Sequence, residues 1–111
     1  MFQGLTNMET QKNFQTIWEY HVMDEHIAQF KQIYAADGDW VKLFSKFPGF
    51  LKTELIQDCD HYNRFITIDY WMSRGDFLDM RGKIGPEYQE LDVRTEKFML
   101  SENHLGYFEG I

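Results

Sequence analysis

The chain has 111 residues, of which 43% are hydrophobic and 17% aromatic, a composition that excludes disorder as its main state. Its 11 basic and 18 acidic residues give a net charge of −7, which repels phosphate backbones and excludes a nucleic-acid partner. No apolar run approaches the length of a membrane span, and no leader is recognisable, so no membrane partner is expected. The single cysteine, Cys59, cannot form an internal disulfide, which favours a cytoplasmic location.

The first third of the chain predicts a strand followed by two helices. Residues 1–12 show no periodicity and are predicted to form a flexible N-terminal arm, which leaves residues 13–111 as a single domain. The first strand is predicted over residues 13–22. Asp24 and Asp39 are candidate N-caps of the two helices, since apolar residues recur at helical spacing after each of them.

The rest of the chain predicts a hairpin, two more helices and a last strand. Phe50–Gln57 and Arg64–Trp71 read as strands, and their short polar connector is typical of an antiparallel hairpin. Ser73 opens a helix at the spacing of a capping box, and Pro86 fits the first turn of the next helix. Residues 104–108 complete a βαββαβ order, which predicts a ferredoxin-like α+β fold with helices on one face of an antiparallel sheet.

The third strand (RFITIDYW) is apolar or aromatic on both of its alternating faces. Phe65 and Trp71 share one face, while Ile66, Ile68 and Tyr70 form the other. Such a strand needs cover on both sides, and a chain this short has too few elements to build two covering layers. We therefore predict a homodimer that packs through the sheet face, with an apolar hollow under each copy's own helices as the candidate site.

Three blocks of sequence occur in the order YAADGDWVKLF, PGFLKTELIQD and RFITIDYWMSRGDF. In these blocks the chain resembles the antibiotic biosynthesis monooxygenase domain family, the small dimeric α/β barrels, over about residues 13–109. The resemblance implies the family's fold and dimer. It also implies a function among those of the family, which include oxygenation of polyaromatic phenols and quinols without metal or flavin, and haem degradation.

Only a few functional residues of the family can be matched to single positions of this chain. Trp71 matches a strand tryptophan that borders the ligand in the family, and Asp69 stands where quinol-oxygenating relatives often have Glu. Thr67 and Arg81 stand where other relatives place an Asn or a His. Arg81 would replace the axial histidine of haem-degrading members, and because arginine is always protonated and has no free lone pair, haem degradation is not expected.

Cofactor-free oxygenation requires a group that takes a proton from a phenol, a partner for the resulting anion and a dry aromatic site. Asp69 is the candidate catalytic proton acceptor, because burial within a strand raises the pKa of a carboxyl group. Arg81 is the candidate catalytic partner of an anionic substrate group. The candidate substrate-binding residues form stacking or hydrogen-bonding walls: Trp18, Tyr20, Thr67, Tyr70 and Trp71.

Each of these residues also has a purely structural interpretation. Asp69 can be paired with an arginine or hydrogen-bonded to a tyrosine, the aromatic residues can pack in the core, and Arg81 can form a surface ion pair.

No cofactor and no metal are expected. His21 and His26 lack the spacing of a metal-binding helix, and neither a phosphate-binding glycine loop nor a dinucleotide motif is present. The sequence thus predicts a cofactor-independent monooxygenase-like protein for a small aromatic or quinol-type metabolite. The alternative is a non-catalytic, small-molecule-binding or structural dimeric module of the same fold.

Overall fold

The computed structural model describes residues 12–111, so the predicted N-terminal arm lies outside the described residues except for Lys12. The strands are β1 (Phe14–Val22), β2 (Phe50–Gln57), β3 (Arg64–Trp71) and β4 (Met99–Glu109). A 3-10 turn (Asp24–His26) precedes helix α1 (Ile27–Tyr34), and the other helices are α2 (Asp39–Phe44), α3 (Arg74–Lys83) and α4 (Pro86–Glu96). Within residues 12–111, no helix is long and apolar enough to cross a membrane.

The four strands form one antiparallel sheet in the order β2-β3-β1-β4. In the pairing of β3 with β1, Thr67 lies opposite Trp18 and Asp69 lies opposite Thr16. In the predicted hairpin of β2 and β3, Thr53 lies opposite Asp69. The ferredoxin-like α+β fold is therefore confirmed, and the register places Thr16, Thr53 and Asp69 side by side across three strands.

One face of the sheet carries an aromatic core beneath the helices. Phe30 of α1 is fully buried, with its ring 4.9 Å from that of Phe65 on β3 and 5.4 Å from that of Tyr20 on β1. Phe77 of α3 packs against the same face, 5.2 Å from the ring of Phe14. Burial of each such ring stabilises the fold by about 1.5–3 kcal/mol relative to exposure. These contacts fix α1 and α3 on one side of the sheet.

The last two helices begin as their sequence predicts. The Ser73 hydroxyl accepts the backbone N–H of Asp76 at 3.1 Å, which satisfies one of the free donors in the first turn of α3. Pro86 is the first residue of α4, where its missing N–H leaves no hydrogen bond unmade.

The predicted capping roles of Asp24 and Asp39 are wrong, because both carboxylates bind side chains of other elements. Asp24 lies inside the 3-10 turn and accepts a hydrogen bond from the Tyr62 hydroxyl at 2.8 Å. Asp39 is the first helical residue of α2 and binds the Arg94 guanidinium at 2.6 Å. Tertiary partners thus replace the local backbone contacts that the sequence pattern indicated.

The other face of the sheet carries no helix among the described residues. Its centre is apolar: Ile66 and Ile68 of β3 remain half-buried, and Ile56 of β2 and Phe108 of β4 are about half exposed, at 51% and 46%. At one edge of this face, Arg64 donates to Glu19 at 2.7 Å. The single chain therefore leaves an apolar surface uncovered, as the pattern of β3 predicts.

Candidate functional site

A cavity of about 390 Å³ lies between the sheet and the helices. Its floor comes from all four strands, and α1, α2 and α4 close it from above. A cavity of this volume falls within the range of sites for small organic ligands. The predicted hollow beneath the chain's own helices is therefore open rather than filled by side chains.

Five aromatic side chains form most of the cavity wall: Trp18, Tyr20, Tyr34, Trp40 and Tyr88. The ring centroids of Trp18 and Tyr20 lie 6.3 Å apart in a stacked arrangement on β1. Trp40 of α2 lies 5.1 Å from Tyr88 of α4 with its ring nearly perpendicular. Rings at these spacings form a continuous apolar surface on which a flat ligand can stack.

Asp69 is the acidic group on the cavity floor. The Thr53 hydroxyl donates to its Oδ1 at 2.6 Å, and within residues 12–111 the carboxylate has no basic partner. Burial raises the pKa of Asp69 from its usual 3.8 to about 6, and the Thr53 hydrogen bond limits this rise. The side chain keeps some accessible surface because it faces the cavity. This carboxyl group can exchange a proton near neutral pH.

Two tyrosine hydroxyls beside the cavity remain protonated at neutral pH. Burial raises the pKa of Tyr20 well above 10, and the nearby Tyr34 and Asp69 raise it further. Burial also raises the pKa of Tyr34 to about 12, although neighbouring Thr95 and Trp40 counteract part of the effect. Both hydroxyls can therefore donate a hydrogen bond to an oxygen of a ligand.

Two further carboxylates line the cavity, and sequence reasoning missed both of them: Asp92 of α4 and Glu102 of β4. Burial raises the pKa of Glu102, and the negative charges of Asp92 and Glu96 add to this rise. Asp92 had a sequence signal, because it follows Tyr88 by one helical turn and shares its face. Glu102 had none, since the last strand was predicted to begin at residue 104 and it begins at Met99.

The structure brings four of the seven predicted site residues together at the cavity: Trp18, Tyr20, Thr67 and Asp69. The register of β1 and β3 explains this, because it aligns alternate residues of the two strands on the helix-facing side.

The other three predicted site residues lie elsewhere. Tyr70 points to the uncovered face, where its hydroxyl donates to Glu54 at 2.7 Å. Trp71 is fully buried in the core and does not line the cavity. Arg81 is exposed on α3, with its guanidinium 5.7 Å from the ring centroid of Phe77.

Within residues 12–111, no group of three or more His, Cys, Asp or Glu side chains is arranged to hold a metal ion. The chemistry available in the cavity is proton exchange at Asp69, hydrogen bonding by tyrosine and aromatic stacking.

Solved structures with the same fold include proteins named as oxygenases. SnoaB, a cofactor-independent oxygenase from Streptomyces nogalater, superposes with a TM-score of 0.70 at 20% identity, over 87% of this chain and 91% of that one. A proposed antibiotic biosynthesis monooxygenase from Bordetella bronchiseptica gives 0.73 at 16% identity, over 91% and 99%. One from Nitrosomonas europaea gives 0.70 at 16% identity, over 100% and 95%.

The chain has the antibiotic biosynthesis monooxygenase fold. No family model matches the sequence, and no curated protein matches it either. What occurs in the cavity has to be argued from the residues of this chain, because fold alone does not determine function.

Proposed function

We propose that the protein is a cofactor-independent monooxygenase that acts on a small aromatic or quinol-type compound bound in the cavity. The observation that carries the proposal is Asp69, a carboxylate without a basic partner that ionises near neutral pH and faces an aromatic cavity. A general base works best when its pKa lies close to the working pH. The oxygenase named among the structures with this fold supports the same reaction class.

In the proposed reaction, Asp69 takes the hydroxyl proton of an electron-rich phenol, such as the enol form of an anthrone. The negative charge of the anion spreads to the ring carbon opposite the hydroxyl, which bears one hydrogen. The anion transfers electrons to O₂, and a bond forms between that carbon and one oxygen atom. Loss of water then leaves a carbonyl group, so one oxygen atom enters the product and the other leaves as water. The substrate supplies all four electrons, and no further reductant is needed.

The surrounding residues have supporting roles in this proposal. Tyr20 and Tyr34 donate hydrogen bonds to the substrate oxygen, and their raised pKa values keep them protonated. Trp18 stacks on the substrate ring. The Thr53 hydroxyl fixes one oxygen of Asp69 and leaves the other free to accept the proton. Arg81 and Trp71 receive no direct role, because neither lines the cavity.

We also propose that the protein is a homodimer built through the uncovered sheet face. The apolar residues of this face support the proposal, since Ile56 and Phe108 are about half exposed and Ile68 is only partly buried, and a second copy would bury all three. Ile68→Glu would place a charge in the proposed interface. The sedimentation coefficient should then change from that of a dimer to that of a monomer. The matched change Leu78→Glu, at an exposed position of α3, should leave the sedimentation coefficient unchanged. A monomeric wild-type protein at micromolar concentration would contradict the dimer.

Oxygen uptake by the purified protein with a panel of anthrones and quinols tests the proposed reaction. Asp69→Asn keeps the shape of the side chain but removes the base, and uptake should fall by at least about 100-fold. The control is Asp37→Asn, which changes an exposed aspartate in a turn. Uptake that is absent in the wild-type protein, or equal in the two variants, would overturn the monooxygenase proposal.

The second candidate is a module that binds a small molecule without converting it. It is favoured by one observation, namely that among residues 12–111 no basic side chain lines the cavity to hold a phenolate. Binding of the same compounds without oxygen uptake would support this second function.

A further inference from the structure

The cavity is acidic as well as aromatic. Among the described residues, ten line it, of which three are carboxylates and none is Lys, Arg or His. Residues 1–11, which lie outside the described part, contain no basic side chain that could add a positive charge. The ligand site therefore offers negative charge and ring faces but no cation of its own.

The three carboxylates line the same cavity and act on one of its tyrosines. The pKa of Tyr88 is raised mainly by burial, and the charges of Asp92, Glu102 and Asp69 all contribute to the rise. Glu102 is itself destabilised as an anion by Asp92. Like charges that face each other in a partly buried site are relieved by a bound cation.

Among the described residues, no lysine or arginine stacks on a ring that lines the cavity, although the imidazole of His104 packs 4.8 Å from Trp18. In the part of the chain that the structure describes, cationic side chains stack on Phe14, Phe77, Tyr70 and Tyr107, none of which lines the cavity. The Arg81 guanidinium is close enough to lower the pKa of Tyr88, but it stacks on Phe77 outside the cavity. Clusters of unoccupied aromatic faces with nearby carboxylates are typical of sites for ammonium groups.

One buried donor in the cavity wall also lacks a partner. The indole N–H of Trp40 makes no hydrogen bond although the residue is only 8% exposed. It lies near the Tyr34 hydroxyl, but the two do not reach hydrogen-bond geometry. A buried polar group is normally satisfied. The indole nitrogen has almost no accessible surface, so the donor for an oxygen of the ligand is assigned to the Tyr34 hydroxyl, a cavity-lining residue, rather than to Trp40.

We propose that the cavity selects a small organic cation, an aromatic hydroxyl compound that carries an ammonium or quaternary ammonium group. The hydroxyl oxygen accepts from Tyr34, and the positive group lies between the rings and the carboxylates Asp92 and Glu102. This inference rests on the proposed function for the role of the hydroxyl group, and it names the substrate class of that site.

The ammonium group also resolves an electrostatic difficulty of the proposed reaction. Transfer of a proton from a phenol to Asp69 moves one negative charge onto the substrate but does not change the total charge of the site. The phenolate would then face Asp92 and Glu102 without a compensating positive side chain. A positive charge on the substrate itself supplies this compensation, and the cavity does not need an arginine.

Three ligands of matched size test the proposal by calorimetry: 3-hydroxyphenyltrimethylammonium, its neutral isostere 3-tert-butylphenol, and the anion 3-hydroxybenzoate. We expect the cation to bind about tenfold more tightly than the neutral isostere, and the anion to bind more weakly than both. The preference for the cation should increase with pH as the carboxylates ionise. Equal affinity of the cation and its isostere, or tighter binding of the anion, would overturn the inference.

Two variants locate the charge effect. Glu102→Gln and Asp92→Asn should each weaken binding of the cation by about three- to tenfold and leave binding of 3-tert-butylphenol unchanged. The matched control is Glu90→Gln, an exposed position on α4 outside the cavity. If Glu90→Gln weakens binding of the cation as much as Glu102→Gln does, the effect comes from the net charge of the protein, and the proposed site is wrong.

These binding measurements do not depend on turnover, so the two proposals can fail separately. In one outcome, the protein binds the cation tightly but takes up no oxygen with any hydroxylated cation. The inferred charge selectivity would then stand, and the proposed monooxygenase function would be wrong. Oxygen uptake with neutral phenols but no preference for cations would retain the function and remove the inferred substrate class.

Discussion

The layer between the sheet and the helices has two regions with different packing. Around Trp71, large rings fill the space, with the indole 6.0 Å from Phe77 and 5.8 Å from Phe44. Around Thr67 and Asp69, the same face of the same strand leaves a cavity. Along β3 the residues on this face are large, small, small and large. The cavity therefore exists where short polar side chains interrupt an aromatic layer.

The filled region should determine stability, and Phe77→Ala tests this with the largest expected effect. Phe77 is 6% exposed and contacts rings from β1, β3 and β4, so its removal leaves a void. We expect the free energy of unfolding to fall by about 3–5 kcal/mol in urea titration. Trp18→Ala in the cavity wall should cost less, because Trp18 is only half-buried. Equal losses in the two variants would mean that the cavity wall is packed as tightly as the core.

The cavity region should instead reduce stability through Asp69, and Asp69→Asn tests this. A folded-state pKa raised to about 6 means that the folded protein binds the proton more tightly than the unfolded chain. Stability from this group is therefore fully present below about pH 4 and is lost as the pH rises through 6. The loss above pH 7 amounts to about 3 kcal/mol at most.

Asparagine carries no charge, so the variant should be more stable than the wild-type protein above pH 7 by up to this amount. Near pH 4 the difference should disappear. Thermal and urea unfolding over this pH range measure it, with Asp37→Asn as the matched control. A variant that is less stable than wild type at pH 8 would show that the Asp69 carboxylate is stabilised rather than strained in the cavity.

Thr53 donates a hydrogen bond to one carboxylate oxygen of Asp69. Replacing Thr53 should change the stability of the protein less than the two preceding substitutions. Thr53→Val removes the hydrogen bond to Oδ1 with little change of shape, and we expect a loss of about 1 kcal/mol above pH 7. The same bond lowers the pKa of Asp69, so its loss should move the ionisation of Asp69 to higher pH. Thr53→Ser, which keeps the hydroxyl, should restore the wild-type pH dependence. If the ionisation of Asp69 occurs at the same pH in Thr53→Val as in the wild-type protein, the hydrogen bond from Thr53 does not affect the pKa of Asp69.

Local patterns predicted the strands and part of the site. The two apolar runs and their polar connector predicted the bounds of β2 and β3, and the two-residue period of a strand placed Thr67, Asp69 and Trp71 on one face of β3. It did not reveal that Trp71 would be covered completely while Asp69 would remain accessible. That difference depends on which helix residues stand above each position, and these contacts are not local in the sequence.

The residues missed by sequence reasoning show the same limit. Sequence reasoning did not single out Trp40 and Tyr88 as site residues, because only the packing of α2 against α4 brings their rings to a common cavity. Glu102 was missed because β4 begins earlier than its composition indicates; its pairing with β1 extends the strand. Asp24 and Asp39 were misassigned as caps because distant side chains, Tyr62 and Arg94, bind them instead.

The most direct test is a carbon-13 NMR titration of the Asp69 side-chain carboxyl, assigned by the loss of its signal in Asp69→Asn. An acid that lies in a partly buried aromatic cavity and has no basic partner among residues 12–111 should titrate with a midpoint of about 6. A midpoint near 4 or below would mean that solvent or an unseen positive partner stabilises the carboxylate. In that case Asp69 would be a poor base, and the reaction proposed for the cavity would lose its proton acceptor.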